Sequence, residues 1–214
     1  MIGRALLFGV LVAGVAAAQG LDVSFDGYRA SQKVGGLGGV GGRAFVEGRR
    51  VDGPDQPLAG VAIVVVPRSA AFLARLAEIK ARARDGMETY RGSAPALRRA
   101  RDEYERALWE AGAADLVHAA VADAAGRFRL EGIPAGDWVL VAMHSVFVDR
   151  PSPPSGKKER QTYTRPPRLT GYQAVTVWLR ELSIAGGRDE VVELTDRNGW
   201  FSGVVEERTL DADG

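Results

Sequence analysis

The chain has 214 residues, with 28 Lys and Arg against 27 Asp and Glu, and a folded protein's share of apolar (46%) and charged (26%) residues. That composition excludes wholesale disorder, and a net charge of +1 gives no whole-chain case for a nucleic-acid partner. The absence of cysteine excludes disulfides, thiolate metal sites, a Cys nucleophile and a lipid-modified N-terminal Cys.

In chain order, the first feature is a leader. Arg4 precedes the apolar run Ala5–Val15, which has the length of a signal-peptide core and is too short to span a bilayer. Ala16–Ala18 supplies the small residues a signal peptidase accepts, so cleavage is expected after Ala18. No stop-transfer stretch follows. The mature chain is expected to be exported to a bacterial periplasm or exterior, with no transmembrane span. Removing the leader takes one base and no acid, which brings the charge into balance.

Residues 19–42 are expected to form a flexible N-terminal segment. They end in Gly35-Gly36-Leu37-Gly38-Gly39-Val40-Gly41-Gly42, which reads as a linker. The formal G-x-G-x-x-G at Gly36, Gly38 and Gly41 lacks the preceding strand and following helix that a dinucleotide site needs.

Short strands begin at Arg43. Arg43–Val51 is the first, and 52–57 is a turn cluster rich in Asp, Gly and Pro. Leu58–Val66 is the second, rich in β-branched residues, and Pro67 ends it. A helical insertion is expected over 69–115. Ser69 caps a first helix from Ala70, with an apolar stripe of Phe72, Leu76, Ile79, Ala83 and Met87. Asp85-Gly86 or Gly92 ends it. Ser93 caps a second helix with Pro95 in its first turn, a stripe of Ala100, Tyr104, Ala107, Leu108 and Ala111, and Gly112 as C-cap. Arg98/Asp102, Arg99/Glu103, Arg101/Glu105 and Asp102/Arg106 have the i,i+4 spacing of ion pairs.

Strands resume over Leu116–Ala122, Arg127–Leu130, Trp138–Phe147, Gln173–Leu182 and Glu190–Thr195, and Trp200–Glu206 could add an edge. The count is about seven, the expectation for an antiparallel β-sandwich, here a domain over 43–208. The acidic end, 209–214, is expected to be disordered.

Three spaced motifs carry a resemblance. They are Pro57-Leu58-Ala59-Gly60-Val61, Asp123-Ala124-Ala125-Gly126-Arg127-Phe128 and Ile133-Pro134-Ala135-Gly136-Asp137-Trp138. In this order the chain resembles the carboxypeptidase-regulatory-like, or transthyretin-like, β-sandwich family over 43–66 and 116–195. It departs at Ala122 for Thr, at Trp138 for Tyr, and in the helical insertion. The resemblance implies a mainly β, seven-stranded antiparallel Greek-key sandwich with a helical hairpin between its second and third strands. It also implies an accessory, adhesive or binding role.

Related sandwiches include enzymes. Hydroxyisourate hydrolases end in Tyr-Arg-Gly-Ser and carry an N-terminal histidine; here Tyr90-Arg91-Gly92-Ser93 falls inside the helical insertion and no histidine precedes His118. Intradiol dioxygenases hold iron with two Tyr and two His, the tyrosines first. Here Tyr163 and Tyr172 follow both His118 and His144. Each histidine sits on an apolar strand and reads as a strand residue. No G-x-S-x-G, H-E-x-x-H or P-loop occurs, and Asp26, Asp52 and Asp55 do not have calcium-loop spacing. No catalytic residue, metal or cofactor is assigned.

The functional candidate is the segment 149–170. Six bases (Arg150, Lys157, Lys158, Arg160, Arg165, Arg168) face two acids there, interleaved with Tyr163 and two Pro-Pro pairs. A basic, Pro-rich loop on a rigid sandwich suits an acidic polysaccharide, a phospholipid surface or a protein. Nine acids lie in 181–214, enough to meet that loop within or between molecules. The expectation is an exported, non-catalytic binding or scaffold module of the cell envelope, contacting protein or glycan. The alternatives are a hydrolase or metal enzyme using His118 or His144, and a self-associating structural protein.

Overall fold

The computed structural model describes residues 21–48, 53–149 and 168–209, with side chains from 171 to 206 in the last stretch. The leader, the basic stretch 150–167 and the end 210–214 lie outside them. Nine strands and three helices follow in chain order: α1 (Asp26–Lys33), β1 (Leu37–Val46), β2 (Gln56–Pro57), β3 (Ala62–Pro67), α2 (Ala70–Arg82), α3 (Met87–Glu110), β4 (His118–Val121), β5 (Arg127–Pro134), β6 (Gly136–Asp149), β7 (Arg168–Ile184), β8 (Asp189–Thr195) and β9 (Phe201–Thr209). One sheet is built around β1, which pairs with β2, β5 and β8; the other has the order β4-β3-β6-β7-β9. The nine exceed the expected seven. The two-residue β2 is too short to leave a periodic signal, and β9 pairs along β7 from Phe201 to Thr209.

Two expectations are corrected here. The glycine run is not a linker: β1 begins at Leu37, and Gly39–Arg43 is bonded on both edges, antiparallel to β5 and parallel to β8. A strictly antiparallel sandwich is therefore also wrong. Glycine suits this position because the two strands flanking β1 in its own sheet approach it closely. A Cβ on Gly42 would sit 1.9 Å from the Val192 carbonyl oxygen and 2.8 Å from the Phe128 ring. Segment 19–42 also holds α1, whose Tyr28 packs edge-on to Trp138 at 4.9 Å and donates to the Asp137 carbonyl at 2.5 Å.

The helical hairpin lies between β3 and β4. Ser69 caps α2 as expected, its Oγ accepting from Phe72 N at 2.9 Å. The break near Gly92 does not occur: α3 runs continuously from Met87, with Gly92, Ser93 and Pro95 inside it. Ser93 turns inward and its hydroxyl donates to the Thr89 carbonyl. An interior proline costs about 3 kcal/mol. Burial of Leu97 and Leu108 alone offsets this, at about 1.5–3 kcal/mol each. Gly112, at φ +71°, closes α3: its N–H bonds Trp109 O, and that of Ala113 bonds Leu108 O.

The result is three layers. Trp178, on β7, donates its indole N–H to Thr195 O of β8, so one face of the five-stranded sheet meets the β1 sheet. Its other face meets α3, where a Cβ on Gly203 would lie 3.1 Å from Ala94 Cβ and where Tyr104 donates to Pro67 O at 2.9 Å. Phe72 of α2 stacks on Tyr104 at 4.4 Å. Covered on both faces, β6 buries every residue from Trp138 to Met143. The expected turn chemistry holds at Asp123, whose Oδ1 accepts from the N–H groups of Ala125 and Arg127.

Candidate functional site

The basic segment is rooted on an extension of the five-stranded sheet. The pairing of β3 with β6 ends at Ala62 opposite Met143. Beyond it β6 continues to Asp149, paired with β7, and β7 is paired in turn with β9. This three-stranded arm carries exposed Val146 and Phe147. At its end Asp149 lies opposite Gly171. Arg150, Lys157, Lys158, Arg160, Tyr163 and Arg165 lie outside the described residues. Arg168, expected in the loop, is instead the first residue of β7, opposite Thr209. Sequence reading ended the first strand at Phe147, two residues short, and began the second at Gln173, five residues late.

A second cationic feature faces the same arm. An open cleft of about 440 Å³ is lined by Pro95, Arg98, Arg99, Asp102, Glu103, Arg106 and, from β9, Val205. Only one of the four expected i,i+4 pairs forms, Arg101 with Glu105 at 3.1 Å. Asp102 is taken by Arg101 at 2.7 Å, and Glu103 by Arg75 of α2 at 2.7 Å. Arg98, Arg99 and Arg106 are exposed and make no ion pair with a described residue. Helical spacing alone missed them as free cations, because the acids were assigned to the wrong partners.

Three of the nine acids in 181–214 pair with described residues, while Asp211 and Asp213 lie outside the described residues. Glu181 pairs with Arg68, Asp189 with Arg129 and Glu206 with Arg91. A groove of about 490 Å³ along α2 and α3 holds Asp22 and Arg75, whose charges are likewise satisfied. Asp22 accepts from the Ser69 hydroxyl and from Ala71 N, and its carboxyl is held below the usual range chiefly by the Ser69 bond. Tyr104, at the same groove, is raised by burial.

The two histidines do not meet. His118 lies level with Val65 and hence Leu140, while His144 is four residues further along β6 and two strands across. That separation is roughly 16 Å at ordinary strand spacings. Burial lowers the pKa of both. His118 Nε2 is buried without a described partner, its ring edge-on to Trp138 at 5.4 Å. Among the described residues, no group of three or more His, Asp or Glu is placed to hold a metal. Tyr90–Ser93 lies within α3, where Arg91 pairs with Glu88 and Glu206. Among the same residues no helix is long and apolar enough to cross a membrane.

No family model matches the chain, and no curated protein matches it in sequence. Among solved structures it is similar to a Pseudomonas aeruginosa protein described as a "putative carbohydrate binding protein". The likeness covers 81% of this chain and 97% of that one, at 16% identity and a TM-score of 0.42. A likeness at that level carries nothing about ligand or site.

Proposed function

We propose that the chain is an exported, non-catalytic binding module of the cell envelope, built on a transthyretin-like sandwich. It contacts a protein or glycan through the basic segment 149–170. The observation that carries this reading is the arm. The β6–β7 pair continues six residues past the last β3 partner, and the basic stretch is anchored at its end between two hydrogen-bonded strands. A core that buries both faces of the inner β6 gives such a loop a stiff base. The wide separation of His118 and His144 favours binding over joint catalysis.

The test is crosslinking and pulldown from native envelopes with the mature protein and its K157Q/K158Q/R160Q variant. A partner captured by the first and lost by the second is expected. Equal capture by both would remove the basic segment from the reading.

A further inference from the structure

We propose that the outer edge of β9, beside the guanidinium cleft of α3, accepts an extended acidic segment of a protein partner as an added strand of the five-stranded sheet. This surface is separate from the basic segment 149–170 and does not depend on it.

β9 ends the order β4-β3-β6-β7-β9 and, among the described residues, pairs with β7 alone. In an edge strand, alternate residues turn their N–H and C=O groups away from the neighbour, which leaves a row of main-chain donors and acceptors along the outer side. At the other end of the sheet β4 offers four residues, whereas β9 is nine residues long. Edges are ordinarily blunted by proline, a bulge or charge. From Phe201 to Val205 β9 has none of these: the residues are Phe, Ser, Gly, Val and Val, and their register with β7 is regular. Ser202, within this stretch, is exposed. Such an edge selects the class of ligand. A polypeptide presents carbonyl acceptors and N–H donors at the spacing of a strand. A polysaccharide or a lipid headgroup neutralises cations but does not continue a sheet.

Charge selects among polypeptides. Val205 lines the same cleft as Arg98, Arg99 and Arg106. These three arginines are exposed and have no ion-pair partner among the described residues, because Asp102 is held by Arg101 and Glu103 by Arg75. Directly opposed residues of neighbouring strands share a face, with Cβ atoms about 5 Å apart. The residue of an added strand opposite Val205 therefore points to the cleft side of the sheet, as do the residues two before and two after it. A carboxylate there meets a guanidinium fork, whose geometry allows two parallel hydrogen bonds. The residues between them fall on the opposite face, beside half-buried Val204, where apolar side chains fit. The partner segment is thus extended, with acidic and apolar residues in alternation. A second copy pairing the same five residues antiparallel across a twofold axis would set Phe201 opposite Val205 and bring no acid to the cleft.

The mature protein is titrated by fluorescence anisotropy with a labelled nine-residue peptide of alternating Glu and Val, the length of β9. One control replaces each Glu by Gln. A second is N-methylated throughout, which keeps every charge and removes every main-chain donor. Binding of the acidic peptide, weakening as salt is raised, is expected, with affinity about tenfold or more lower for each control. R98Q/R99Q/R106Q should weaken binding about tenfold or more, with a thermal midpoint near that of the parent because all three residues are exposed. If the triple variant misfolds, R106Q alone should show a severalfold loss. K157Q/K158Q/R160Q should bind the peptide as the parent does. Equal binding of the N-methylated peptide would overturn strand addition, and full affinity in the arginine variants would overturn the cleft. Loss confined to K157Q/K158Q/R160Q would overturn this surface while leaving the basic segment as the binding element. Binding of polygalacturonate or phosphatidylglycerol vesicles without binding of the peptide would overturn the choice of a polypeptide. Dimerisation in sedimentation that excludes the peptide would give the edge to a second copy and overturn the proposal.

Discussion

One strand, β6, passes through two environments. Its inner half, Trp138–Met143, has β3 on one edge, β7 on the other and a layer over each face, and every side chain is buried. Its outer half, His144–Asp149, keeps β7 but loses β3, and its side chains are half-buried or exposed. Backbone pairing alone thus carries a strand outward; it does not create a core. Stability is concentrated where two faces are covered, and recognition becomes available where cover stops.

The sharpest way to break this contrast is to truncate the same strand on either side of it. Trp138→Ala, at zero exposure and with its indole N–H bonded to Pro134 O, should cost about 3–5 kcal/mol. Phe147→Ala should shift stability by no more than about 0.5 kcal/mol. Urea unfolding of the two variants decides it; comparable losses would mean that the arm is as much core as the inner strand. Next comes Gly42→Ala, which drives a methyl group into the Val192 backbone and should cost about 1–3 kcal/mol or more by forcing β1 and β8 apart within their sheet. An unchanged unfolding midpoint would return the glycine run to the status of a linker.

Ser69→Ala removes an N-cap and the hydroxyl that Asp22 accepts, and should cost about 1 kcal/mol. Asp22 is held below its ordinary pKa, so its contribution is present above about pH 4 and is lost as pH falls through the lowered value. The cost of Ser69→Ala should therefore shrink in acid, which thermal melts at two pH values would reveal. The smallest effect concerns His118. Burial lowers its folded pKa below 6.5, so the unfolded chain takes up its proton first. Stability should fall as pH drops below 6.5 and level off once the folded form also protonates. His118→Gln should flatten part of that slope, and an identical slope would assign the pH dependence to other groups.

Local chemistry was legible in the sequence wherever neighbouring residues decide it. The Ser69 cap, the Gly112 termination of α3 and the Asp123 turn each involve partners a few residues apart. The misreadings came from distant partners. Nothing near Gly38–Gly42 announces Val192 or Phe128, whose close approach makes glycine fit a central strand. Gly92 and Pro95 look like a helix boundary until Ala94 and Leu97 are packed against the sheet. The candidate site divides the same way. The basic segment stands out by composition, whereas Arg98, Arg99 and Arg106 become a site only when Arg75 takes Glu103 and Arg101 takes Asp102.

The parallel pairing of β1 with β8 has a consequence in time. Gly39 is bonded beside Asp189, 150 residues later in the chain. A contact of that sequence separation is slow to form, and none of the intervening strands can substitute for it. During synthesis, the β1 sheet stays open until β8, Asp189–Thr195, has emerged. The β6–β7 hairpin can form earlier, but the five-stranded sheet is itself completed only by β9, which follows β8 in the chain.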